Sequence, residues 1–313
     1  MAFSRHAHVT FSLALTASIA AVAAASAQSV ERLMIVSVLD ADGAPVTGLA
    51  AADFEIREDD AAREVLRVDS AGAGRQIAVL VDTSEAAVRV ASGFRRGLSA
   101  FVDAMHGDNQ ISIISFGGAP RILAPSTSDG ERLREGVGRI FPQSGQAAYM
   151  LDAVYEVAEG FDRRGADRPV MVVLTTEGTD YSNRRARQVL ERIDESGAAF
   201  YALSVEARRA AFGIGRPTGA FGGGFDARQQ EFERDLVLSR GTAGTGGRHR
   251  DLLASSAVER ALLDLAAELR NQYLVAYSRP DSLIPPEEVT VTVNGSGLTA
   301  RGIVLSTQEN RNR

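Results

Sequence analysis

Two uninterrupted apolar runs, each ending in oxygen-bearing residues, constrain this chain more than any other feature. Ile77-Ala78-Val79-Leu80-Val81 runs into Asp82-Thr83-Ser84-Glu85-Ala86 and then into a helical pattern. Val170-Met171-Val172-Val173-Leu174 runs into Thr175-Thr176-Glu177-Gly178-Thr179-Asp180. A strand that is apolar at every position is covered on both faces, as in a parallel sheet between helix layers. Residues just past such strands lie on one rim of the sheet, where ligands of open α/β sheets bind.

The pattern between residues 75 and 270 alternates strand and helix. Strands are expected at 76–81, 111–116, 170–175 and 199–205, with an edge strand near 120–124. Helices are expected at 86–105, 129–140, 149–162, 183–196, 227–239 and 255–270. Such alternation predicts a doubly wound, mostly parallel α/β sheet. The chain ends read differently. Leu33 to Leu39, Glu55-Ile56-Arg57 and Val65 to Val68 are short strands separated by turn residues. Asp40 and Asp42 could open a calcium loop, but Ala51 holds the twelfth position, where that loop needs a bidentate Glu. Asp40 to Gly43 is therefore read as a turn. Toward the C-terminus, Tyr273 to Tyr277 is a strand, and Val289 to Val293 and Leu298 to Leu305 are expected to form a hairpin across Asn294-Gly295. Both ends should build one small β-sandwich-like domain, into which the α/β domain is inserted.

Arg5, His6 and His8, the apolar run Phe11 to Ala24, and Ala25-Ser26-Ala27 have the layout of a secretory leader cleaved before Gln28. Export is the expectation, with an uncleaved leader acting as an anchor as the alternative. The chain has no Cys, which excludes disulfides and thiolate metal sites. Its net charge of -6 has both signs interspersed, and no basic stripe offers a nucleic-acid surface. Past the leader only His106 and His249 remain, which leaves no imidazole zinc site. Ser84 lies in no Gly-x-Ser-x-Gly elbow, so hydrolase chemistry has no anchor and no enzyme is expected. Residues 207–226 are broken by glycines and carry Phe212, Phe221 and Phe225. A loop of that length is either functional or disordered.

With these residues in place, the chain resembles the von Willebrand factor type A (VWA) domains, and looks closest to a bacterial exported subgroup. The resemblance is carried by Ile77 to Ser84, by Val170 to Gly178, and by Leu238 to Gly247 before a final short strand. It covers 75–277 as the domain itself. It implies a Rossmann-like fold and a metal-ion-dependent adhesion site (MIDAS) that holds one divalent cation, usually magnesium. The family's first motif is Asp-x-Ser-x-Ser; Asp82 and Ser84 match it and Ala86 does not. Its Thr, placed four residues before an Asp-Ala pair, falls on Ala148 by the register of Asp152-Ala153. Its Asp before Gly is Glu177 before Gly178. The residual metal ligands are thus Asp82, Ser84 and Glu177. Magnesium demands near-octahedral oxygen geometry, and Ala supplies no lone pair. No cofactor is therefore expected, with weak Mg or Ca binding as the alternative.

The expected organisation is a leader at 1–27, an N-terminal β segment at 28–72, the VWA domain at 73–277, a C-terminal β segment at 278–306 and a disordered tail at 307–313. The expected function is a non-catalytic, exported protein-binding or adhesion module with a degraded cation site. Its partner surface would comprise Asp82, Ser84, Ala148, Glu177 and Phe221. Two alternatives stand beside it: a cation-dependent adhesion protein with substituted ligands, and a structural or assembly module of the cell envelope.

Overall fold

The computed structural model describes residues 29–206, 223–281 and 284–305. Among the described residues the strands are β1 Ser29–Leu39, β2 Phe54–Glu58, β3 Ala61–Arg63, β4 Val65–Ser70, β5 Gln76–Val81, β6 Gln110–Ser115, β7 Arg121–Thr127, β8 Pro169–Thr176, β9 Ala199–Val205, β10 His249–Leu252, β11 Tyr273–Pro280, β12 Val289–Val293 and β13 Thr299–Val304. The helices are α1 Ala91–Met105, α2 Gly130–Gly138, α3 Met150–Arg163, α4 Ala186–Ser196, α5 Gly223–Leu236, α6 Thr242–Gly244 and α7 Val258–Arg270. A π-turn, Val237–Gly241, joins α5 to α6.

Six strands form one sheet in the order β10-β9-β8-β5-β6-β7, parallel except for the edge strand β7. Alternation along β5 and β8 explains the two helix layers. Ile77, Val79, Val81, Val170, Val172 and Leu174 pack with Phe94, Leu98, Leu133 and Leu262 of α1, α2 and α7. Ala78, Leu80, Met171 and Val173 pack the other way, with Leu151, Val154, Val189 and Ile193 of α3 and α4. The chain leaves β5 toward β6 and returns on its other side as β8, so the strand order reverses between β5 and β8. That reversal is the switch point at which a crevice opens beyond the strand ends.

Both chain ends meet in a sandwich. One sheet has the order β13-β1-β11-β4 and the other β12-β2-β3, all antiparallel. Met34, Val36, Val38, Phe54, Ile56, Tyr273, Val275 and Tyr277 fill the space between them. The α/β unit is inserted into this sandwich, as the sequence predicts. Two expectations are corrected. Tyr273–Pro280, placed above at the end of the α/β domain, pairs with β1 and β4 and turns Tyr273, Val275 and Tyr277 into the sandwich core. The expected hairpin across Asn294-Gly295 is a corner between sheets, because β12 pairs with β2 while β13 pairs with β1. Asn294 is held there by its amide on the Asp53 carbonyl at 2.8 Å and its side chain on the Ala52 carbonyl at 3.1 Å.

The run Thr245 to Arg248 forms the turn before β10. A Cβ on Gly247 would lie 1.8 Å from the Phe200 carbonyl oxygen, so only glycine lets the turn close on β9. The helical expectation at 227–239 starts earlier, at Gly223, and ends in the π-turn. The rest of the expected 207–226 loop, with Phe212 and Phe221, lies outside the described residues. Among the described residues, no helix is long and apolar enough to cross a membrane.

A buried polar hub joins the sandwich to the α/β unit. Glu268 of α7, 1% exposed, accepts a hydrogen bond from Arg301 of β13 at 2.7 Å and pairs with Arg248 at 3.0 Å. Gln272 donates to Ser37 of β1 at 2.9 Å and to the Tyr201 hydroxyl of β9 at 3.3 Å. Arg75 donates to Gln272 at 3.1 Å. Burial lowers the Arg75 pKa to about 10, with Arg168 adding to the effect. Removing one member of a buried ionic group leaves the others uncompensated. Glu268→Ala is expected to cost about 3–5 kcal/mol in urea unfolding. A loss below about 1 kcal/mol, the level of an exposed pair, would show that the hub contributes little.

Candidate functional site

The crevice at the switch point is built from the ends of β5 and β8. The Asp82 amide continues the ladder by donating to the Leu174 carbonyl at 2.9 Å, which places the Asp82 side chain, 0% exposed, between the two strand ends. A buried carboxylate must be hydrogen-bonded. One Asp82 oxygen accepts from the Ser84 amide at 2.8 Å. The other accepts from the Thr176 hydroxyl at 2.6 Å and from the Thr176 amide at 3.3 Å.

Ser84 is 2% exposed, and among the described residues its hydroxyl has no hydrogen-bond partner. Thr83 turns toward β6, where its hydroxyl accepts from the Gly117 amide at 3.1 Å. A Cβ on Gly117 would lie 2.1 Å from the Thr83 carbonyl carbon, so the two loops touch backbone to backbone. Glu85 also leaves the crevice and accepts from the Gly145 amide at 2.9 Å. Ala148 bridges the Gly117 and Asp180 backbones. Asp180 is buried and holds the start of α3 by accepting from the Met150 amide at 2.6 Å. Burial raises its carboxyl pKa against the lowering effect of its hydrogen bonds from Ser182, Met150 and Leu151.

Ser84, Ala86, Ala148, Thr176, Glu177 and Arg234 line one pocket of about 180 Å³. Of the residues expected at the rim, Ser84, Ala148 and Glu177 come together here, and Asp82 lies beneath, bonded to two of the lining residues. Phe221 lies outside the described residues. Arg234 was not foreseen. It is 6% exposed, and its guanidinium donates to the Thr176 carbonyl at 2.7 Å and to Asp235 at 2.8 Å. Its place in α5 carries no local signal: the contact spans 58 residues of sequence. The π-turn directly after α5 buries Val237 and Leu238. Such turns occur often at functional sites.

The lining does not fit a resident divalent cation. Both Asp82 oxygens already accept from protein donors. Ala86 and Ala148 bring no side-chain oxygen, and Glu177 is exposed to water. The Arg234 guanidinium, paired with Asp235 at 2.8 Å, also lines this space. Among the described residues, no three His, Cys, Asp or Glu side chains gather as a metal-binding group.

A second constellation lies near the rim. The Ser204 hydroxyl is 2.7 Å from His249 Nε2, and Asp251 is 3.3 Å from that same nitrogen. A catalytic relay needs the acid on the other ring nitrogen and an accessible hydroxyl. Ser204 is 3% exposed within β9, so this set is a strand-end brace. Burial lowers the His249 pKa below its ordinary 6.5; Asp251 opposes this, Arg234 adds to it and Asp235 opposes it.

No family model matches the sequence, and no curated protein matches it. Among solved structures the chain is similar to a von Willebrand factor type A protein from Catenulispora acidiphila, at 12% identity and a TM-score of 0.46, over 87% of this chain and 73% of that one. It is similar to an aerotolerance-related membrane protein from Bacteroides fragilis NCTC 9343, at 20% identity and a TM-score of 0.43, over 63% of this chain and 98% of that one. It is also similar to proximal thread matrix protein 1 from the mussel byssus with a zinc-occupied MIDAS motif, at 14% identity and a TM-score of 0.47, over 68% and 49%. The inserted unit is a doubly wound, mostly parallel α/β fold with a crevice at its switch point, the architecture that the resemblance to VWA domains implies.

Thr176→Val would leave one Asp82 oxygen without its shortest bond. A loss of about 1.5–3 kcal/mol in urea unfolding is expected, as for a hydrogen bond to a charged group. An unchanged midpoint would mean that water replaces the hydroxyl. For His249, the folded state binds fewer protons than the unfolded state just below pH 6.5. Its contribution is therefore complete above that pH and is lost as pH falls toward the depressed folded value. His249→Gln should remove that part of the pH slope. Parallel stability curves for the two proteins between pH 5 and 7.5 would refute this.

Proposed function

We propose that this chain is a non-catalytic, exported protein-binding module that uses the rim of its VWA-type domain without a resident cation. The observation that carries the reading is the state of Asp82. Its carboxylate is spent on Ser84 and Thr176, while an open pocket lined by Ser84, Ala148 and Glu177 remains beside it. Recognition at such a rim relies on shape, apolar contact and hydrogen bonds rather than on a shared metal. Phe221, which lies outside the described residues, would add an aromatic anchor. Export rests on the leader-like pattern of residues 1–27. Membrane attachment would come only through an uncleaved leader, and no nucleic-acid surface is needed.

A photo-crosslinking side chain at Glu177 of the full chain, expressed in its native cells, tests the reading. A discrete protein adduct is expected at Glu177 and not at the exposed Glu131 of α2, and it should form equally with and without EDTA. No rim-specific adduct would remove the rim as the partner surface. An adduct lost in EDTA would favour a cation-dependent adhesion protein instead.

A further inference from the structure

We propose that the groove between the edge strand β7 and helix α3 binds a free single-chain amphiphile with an anionic head group. The groove holds about 650 Å³ and shares no lining residue with the rim pocket, so the inference stands apart from the role of the rim. That volume lies within the range of small-molecule sites, about 300–1,000 Å³. Its origin is an unequal covering of the sheet. On one face, Leu133 and Val137 of α2 pack with Ile113 of β6 and Ala124 of β7. On the other face, among the described residues, no β7 side chain joins the core under α3 and α4. Ile114 and Ile122 are opposite each other in the β6–β7 ladder and so share that second face. Ile114 is 8% exposed, whereas Ile122 is 71% exposed and stands as an apolar wall beyond the helix. Ala78 of β5 with Ala153 and Gly160 of α3, all small, keep the gap between wall and helix open.

The ligand's charge follows from the groups around this groove. Four guanidiniums, Arg121, Arg163, Arg164 and Arg184, line it against two carboxylates, Glu156 and Glu159. Glu159 pairs with Arg163 at 3.8 Å. Asp162, the next acid of α3, pairs with Arg192 at 3.5 Å. Arg184 lies over the Tyr155 ring at 3.9 Å. Among the described residues, Arg121 and Arg164 have no carboxylate at ion-pairing distance. Glycine inside a helix is destabilising relative to Ala. Here a Cβ on Gly160 would stand 3.2 Å from Arg164 Nη1, so the glycine gives that guanidinium room to lie against the helix at the groove. An apolar floor with an excess of guanidinium at its mouth matches a hydrocarbon chain that ends in an anion. A guanidinium meets anionic oxygens with strong, charge-assisted hydrogen bonds. An added peptide strand fits this edge poorly, because Pro125 of β7 has no N–H to offer it.

The test is an amide chemical-shift titration of the isotope-labelled full chain with hexanesulfonate, octanesulfonate and decanesulfonate, each below its micelle concentration. Saturable shifts are expected at Ser112, Ile122, Ser126 and Gly160 of the groove, and not at Ser84 or Gly178 of the rim. Affinity should rise about fourfold for each CH₂ added, the gain from burying a methylene. Decyltrimethylammonium, with the same chain and the opposite charge, should bind more weakly than decanesulfonate. Ile122→Asp should abolish saturable binding. Arg164→Gln should weaken it about two- to fivefold, as for an exposed ion pair. Both side chains are exposed, so unmoved amide shifts far from the groove will report an intact fold, and either variant decides if the other fails to fold. No saturable shifts in the groove, affinity independent of chain length, equal binding of the cation, or unchanged binding in the variants would overturn the proposal. So would binding to phosphatidylglycerol vesicles without saturable binding of any single-chain probe, which would make the groove a membrane contact.

Discussion

The hydrogen bond from Thr176 to Asp82 decides what the rim of this protein can be. Asp82 follows the central strand and is fully buried, so its charge must be met by donors within reach. Thr176, the last residue of β8, meets it from the neighbouring strand end. The bond closes the gap at the switch point, where β5 and β8 would otherwise diverge beyond their ladder. It also commits the carboxylate. An oxygen that accepts a short hydroxyl bond and an amide is a poor ligand for a cation that sheds its water reluctantly. The Thr176 carbonyl then accepts from Arg234, so the residue that occupies Asp82 also seats the guanidinium.

The sandwich and the α/β unit depend on one another in a similar way. Glu268 lies in α7, yet one of its arginines comes from β13, in the last strand of the chain. Gln272 sits between α7 and β11 and bonds to Ser37 of the first strand. The insertion is therefore tied at its exit, where α7 passes into β11. Tyr201 of β9 carries the same network into the parallel sheet, and burial holds its hydroxyl protonated. The parallel sheet that carries the rim is thus held against the sandwich by buried hydrogen bonds as well as by apolar contact.

How much of this was legible in the sequence varies with the range of the interaction. Ile77 to Val81 and Val170 to Leu174 gave away the parallel sheet because a strand covered on both faces must be apolar throughout. Ala86 and Ala148 were legible as missing oxygens only against the motif of the family that the chain resembles. The partner of β11 was not, since an apolar strand does not declare which sheet it will join; β1 and β4 decide that through a register of backbone bonds. Asn294-Gly295 carried a strong turn signal, and the turn is there. Its strands separate because the edges of β1 and β2 each capture one of them. Arg234 was invisible because nothing in a helical run of Glu, Arg and Asp marks the one side chain that reaches a strand end 58 residues away.

That blind spot bears directly on how the rim is interpreted. Counting the motif residues of this chain yields only subtraction: two oxygens gone and one carboxylate lengthened. A weakened cation site would leave a buried Asp82 short of positive charge, and such a group is costly. The folded chain is not left in that state. Thr176 and Ser84 supply the donors, and a guanidinium is fixed beside them with part of its fork unused. The absent hydroxyls at Ala86 and Ala148 and the Arg234 side chain thus meet in one pocket. Arg234 is itself paired with Asp235 at 2.8 Å, so its charge has a partner within the protein. Side-chain geometry from α5, rather than the metal motif, shows how this strand end is held.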